Sequence, residues 1–187
     1  MRSSKILITL LLTATSSAAL AHPGHDVSGL AAGLMHPFSG PDHLLAMIAV
    51  GIWAAQSGER KIWLLPATFM TMLAIGAGIA TLWQSLPLVE AGIATSVLAL
   101  GLFIALSLRL SAMLSVTVTA LFGLLHGYAH GLELPDSASP LSYALGFLVA
   151  TATLHLTGIW LGMRNTAVSK WSGYAIAFSG AYLLVNI

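Results

Sequence analysis

Residues 62–83, 91–108, 110–132 and 137–163 hold no Asp, Glu, Lys or Arg. An uncharged run of about 20 residues is what a helix needs to cross the hydrocarbon core of a bilayer. Only a helix or a closed barrel satisfies its own backbone there. Two further segments, about 27–58 and 171–187, bring the expected number of spans to six. The fold class that follows is all-α, a polytopic membrane bundle of six transmembrane helices. Composition agrees, with 57% hydrophobic and 7% charged residues against about 25% charged in soluble domains. Six spans occupy residues 22–187 almost completely and leave no room for a soluble domain. A net charge of +1 gives no reason to expect nucleic acid as a partner, and the absence of cysteine removes thiolate metal ligands.

Residues 1–21 read as a cleaved signal peptide: Arg2 and Lys5 precede a short apolar core, and Ala19-Leu20-Ala21 ends in the small-residue pattern of a cleavage site. The alternative, an uncleaved seventh span, suffers from the shortness of that core. Cleavage starts the mature chain at His22, outside the cytoplasmic membrane of a bacterium. Basic residues collect in cytoplasmic loops, and Arg60, Lys61, Arg109, Arg164 and Lys170 all fall in the loops that this orientation places inside. Loops 84–89 and 133–139 contain no Lys or Arg. Both mature termini are therefore expected in the periplasm. Trp53, Trp63, Trp160 and Trp171 at inner span ends, and Trp83 at an outer end, read as interfacial anchors.

None of the seven histidines lies in a cytoplasmic loop. Ionisable groups within a membrane are costly and mark functional sites by default. In His36-Pro37-Phe38-Ser39-Gly40-Pro41-Asp42-His43, two prolines and a glycine cannot continue a helix, so the first span should break here. Pro41 suits the first turn of the helix that resumes, and Asp42 suits both that positive helix end and a metal. Further on, His126, His130 and Glu133 are spaced by four and then three residues, along one helical face. Imidazole with carboxylate suits nickel, cobalt, copper or zinc.

At about 1.5 Å per residue, His43 and His126 each lie roughly 25 Å from their inner basic residues, Arg60 and Arg109, and share a height in the outer half of the membrane. His155, nine residues before Arg164, lies deeper, where a structural hydrogen bond and a transport role fit equally. The segment His22-Pro23-Gly24-His25-Asp26 offers imidazoles that collect metal at the outer mouth, or simply a polar tail.

The pattern His36-x5-Asp42-His43, together with His126-Gly127-Tyr128-Ala129-His130-Gly131-Leu132-Glu133, resembles the HupE/UreJ family of hydrogenase and urease accessory proteins. The resemblance covers the leader, the His-rich mature start, the six spans and both motifs. It implies a permease importing Ni2+, with Co2+ as the second candidate, that supplies hydrogenase or urease maturation proteins. It carries over His36, Asp42, His43, His126, His130 and Glu133 as the functional set. Leu125 stands where the family often has phenylalanine. No prosthetic group is implied; the metal is the transported ion.

Competing readings are a haem- or metal-binding membrane protein without transport and an intramembrane metalloenzyme. The absence of an H-E-x-x-H motif argues against the zinc protease, so the chain is not expected to be an enzyme. No G-x-x-x-x-G-K-[ST] loop occurs, which leaves facilitated diffusion as the preferred coupling and proton coupling second.

Overall fold

The computed structural model describes residues 29–59, 61–83, 85–134 and 138–187. The leader reading, His22 and His25 lie outside the described residues. The chain forms α1 (Gly29–Met35), a 3-10 turn (His36–Phe38), α2 (Pro41–Gln56), α3 (Lys61–Ala80), α4 (Val89–Ala105), α5 (Ala112–Leu132), α6 (Pro140–Arg164) and α7 (Thr166–Val185). No strand occurs among the described residues. The all-α expectation holds.

Three helices, α3, α5 and α6, are long and apolar enough to cross a membrane, and a fourth span results if α1, the turn and α2 are taken as one bent element. α4 is apolar but 17 residues long. α7 has 20 residues, diluted by serines, tyrosines and Lys170.

The break between α1 and α2 falls where Pro37, Gly40 and Pro41 demand it. The α1 segment and α2 meet at 80°, Gly40 is extended and Pro41 opens α2. Ser39 Oγ donates to the His36 carbonyl at 2.6 Å, and Asp42 Oδ1 accepts from the backbone N–H of His43 at 2.9 Å. These bonds occupy polar groups that the interrupted helix leaves over.

The helices pack most extensively in pairs that are not neighbours in sequence: α1 and α2 on α6, α3 on α5, and α4 on α7. Glycines make these contacts backbone to backbone. A β-carbon at Gly51 would strike the His155 carbonyl, and one at Gly158 the carbonyl of Ile48. Gly33 and Gly146 meet in the same way. On α5, Gly123, Gly127 and Gly131 recur every fourth residue and press on the carbonyls of Phe69, Leu73 and Ala77 of α3. Gly101 and Gly173 join α4 to α7. In lipid, where apolar burial gives little drive between helices, such close approach supplies the packing energy. Gly76 of α3 answers from the other side, against the Leu124 carbonyl, whereas Gly78 faces open space.

One expectation is corrected. Trp53 is no interfacial anchor: it is 0% exposed, rests on Phe103 at 5.0 Å and donates its indole N–H to the Leu108 carbonyl at 3.2 Å. A buried indole needs such an acceptor, and the end of α4 provides one. Trp63, Trp83, Trp160 and Trp171 are exposed.

Basic side chains gather at one end of the bundle. Arg109 and Arg164 line one polar cleft with Gln56 and Ser169, and Lys61 Nζ donates to the Leu110 carbonyl at 2.6 Å. Asp42 and Glu133 stand at the other end, beside the histidines.

Candidate metal site

Local folding rules bring the two motifs face to face. The turn after α1 holds His36, the first turn of α2 holds His43, and the last two turns of α5 hold His126 and His130, with Glu133 as the residue that caps α5. Because the glycine stripe of α5 lies on α3, the histidines one residue before Gly127 and Gly131 turn toward α2. His43 meets His126 at 5.1 Å and His130 at 4.0 Å between ring centroids. The shared height inferred for His43 and His126 agrees with that contact.

Among the described residues, His36, His130 and Glu133 each bring one ligand atom within 4.8 Å of the others. His36 Nε2 is 2.9 Å from Glu133 Oε2, and His130 Nδ1 is 3.5 Å from the same oxygen. Metal bonds of roughly 2.0–2.2 Å set ligand atoms about 3–4 Å apart, so small rotations suffice to gather the three on one ion. The His130 and His36 imidazoles hold the Glu133 carboxyl well below the usual carboxylate range, which keeps it anionic and attractive to a dication.

Asp42 takes a flanking place. Its Oδ2 is 4.0 Å from His43 Nε2, while Oδ1 serves the backbone. A β-carbon at Gly40 would lie 2.7 Å from that carboxylate and 3.0 Å from the His43 ring, so glycine is what leaves both side chains their room.

His43, His126 and His130 are all buried. His126 Nδ1 is bonded to the Phe122 carbonyl at 2.9 Å, which fixes the proton on Nδ1 and leaves Nε2 as a lone-pair donor without a hydrogen-bond partner. His43 Nδ1 and both ring nitrogens of His130 are likewise buried without a well-formed hydrogen bond. Such atoms are rare in folded proteins and call for an explanation; the donor set suits a borderline divalent metal.

Aromatic rings wall the cluster. Phe147 lies 4.2 Å from His130, Tyr143 5.6 Å from His36 and Phe69 5.5 Å from His126. Nothing in the sequence singled these out, since an aromatic in an apolar span carries no local signal. His155 is not part of the cluster: it sits beyond Phe69, at 5.3 Å from that ring, with Nδ1 bonded to the Met47 carbonyl at 2.7 Å.

Fold and site together define the class: an all-α membrane protein carrying a histidine and carboxylate cluster at one end of its bundle. The chain belongs to the HupE/UreJ family, whose model, described as HupE / UreJ protein, matches residues 10–183. It is similar to Protein HupE of Rhizobium leguminosarum bv. viciae, with 41% identity over 191 residues and 100% of both chains covered. No solved structure matches the chain.

Proposed function

We propose that this chain imports Ni2+, with Co2+ as the second candidate, from the periplasm to the cytoplasm, and so supplies hydrogenase or urease maturation. The observation that carries the reading is the meeting of His36, His130 and Glu133 from segments far apart in sequence, backed by the unpartnered nitrogens of His43 and His126. In this reading Asp42 and Glu133 draw the dication to the outer mouth, and His36, His43, His126 and His130 exchange water for imidazole around it. His22 and His25 collect metal upstream. α4 and α7 complete six spans behind a cleaved leader at 1–21, and the end bearing Arg109 and Arg164 faces the cytoplasm. The ion moves by facilitated diffusion, and the chain is not an enzyme.

A haem protein is not favoured, because the His43 ring stands only 4.0 Å from His130 and 5.1 Å from His126 and leaves no slot for a porphyrin between them. The test is Ni2+ entry into liposomes that contain only the purified chain. Entry above empty liposomes, abolished by His130→Ala, is the expected result. Binding in detergent without entry would instead make the chain a metal-holding accessory protein.

A further inference from the structure

The cluster around His36, His43, His126, His130 and Glu133 does not account for every unpartnered buried group. On α6 the residues Tyr143, Phe147, Thr151 and His155 recur every fourth position, share one face and are all buried. The first two touch His36 and His130. The next two continue the same face inward by about 6 Å and 12 Å at 1.5 Å per residue.

Thr151 behaves unlike other threonines of the bundle. Thr71, Thr95, Thr153 and Thr157 donate to the carbonyl four residues earlier at 2.6–2.9 Å, the usual way a helix absorbs a hydroxyl. Thr151 and Thr119 are 0% exposed, and neither hydroxyl has a hydrogen-bond partner. Thr119 lies seven residues before His126, on the same face of α5. His155 is anchored from a different helix: the Met47 carbonyl of α2 takes its Nδ1 proton, and Nε2 remains buried and free. A metal-binding histidine is commonly oriented by this kind of carbonyl on its second nitrogen.

We propose that His155 Nε2 and the Thr151 hydroxyl form an inner binding position for the same divalent cation, below the outer cluster. The inference rests on the reading of the outer cluster as a metal site. An ion leaving His126 then meets an imidazole and a hydroxyl that replace part of its water, in place of an all-apolar barrier.

Two variants separate this role from a structural one. His155→Asn keeps a donor where Nδ1 was and removes Nε2; Thr151→Val keeps the shape and removes the hydroxyl. Ni2+ affinity of the outer cluster is read by calorimetry in detergent, initial Ni2+ entry in liposomes, and stability by thermal unfolding. Both variants should keep the outer affinity within about twofold while entry falls at least about tenfold. The Val variant should melt no lower than the wild type, since an unpartnered buried hydroxyl is costly. Entry within twofold of wild type in Thr151→Val overturns the proposal, including when His155→Asn fails to fold. If the wild type shows no entry, the import reading falls, and stoichiometry decides the inner position: a second Ni2+ per chain, lost in the variants, supports it, and an unchanged count overturns it.

Discussion

His36 Nε2 lies 2.9 Å from Glu133 Oε2, although 97 positions separate the two residues in sequence. The contact joins the turn between α1 and α2 to the end of α5, and it brings a carboxylate to the two imidazoles of His36 and His130.

Removing either partner should therefore weaken metal capture without unfolding the bundle. His36→Ala and Glu133→Gln should each lower Ni2+ affinity by at least about tenfold, the scale on which even supporting groups around a metal act. Calorimetric titration of the purified variants checks this. Affinity equal to wild type in both would move the outer site away from this pair.

Asp42 has two roles that one substitution can divide. Asp42→Asn keeps an acceptor for the His43 N–H but removes the charge at the start of α2, which is worth about 0.3–1 kcal/mol to the helix. Stability should change by no more than that, whereas Ni2+ uptake should drop several-fold. Uptake at the wild-type level would confine Asp42 to starting the helix.

The glycine stripe predicts a sharp positional contrast. Gly127→Ala pushes a β-carbon into the Leu73 carbonyl, so α3 and α5 must separate; Gly78→Ala meets nothing within 4 Å. We expect Gly127→Ala to lose about 1–3 kcal/mol, the usual cost of overpacking, and to melt lower in detergent. Gly78→Ala should match or exceed the wild type, since alanine is the better helix former.

Orientation is open to a direct measurement because the chain has no cysteine. Ser85→Cys and Thr166→Cys introduce exposed thiols at opposite ends. An impermeant maleimide added to spheroplasts should label the first and reach the second only after permeabilisation. The reverse pattern would invert the proposed topology.

The segment outside the described residues yields a concentration test. Changing His22 and His25 to alanine should impair uptake at scarce Ni2+ and matter little at abundant Ni2+. Equal loss at every concentration would put both on the obligatory path.

The grouping of the candidate site's residues was largely legible in the sequence because its signals are local. Pro37, Gly40 and Pro41 mark the break whatever surrounds them, and the spacing of His126, His130 and Glu133 aligns them by helix geometry alone. The helix pairing was not legible. Spans that are apolar on every side show no preferred face, so nothing local says that α3 lies on α5 or α4 on α7. Trp53 illustrates the gap: near the end of a span it reads as an anchor, and only the position of Leu108 in space reveals it as core. Phe69, between His126 and His155, was invisible for the same reason.

The glycine seams have a mechanical consequence. Helices locked backbone to backbone travel as one stiff beam, and the histidines are divided between two such beams. His36, His43 and His155 ride with α2 and α6, while His126, His130 and Glu133 ride with α3 and α5. A cation gripped by His36 and His130 would rivet the beams together, and its release would free them to part.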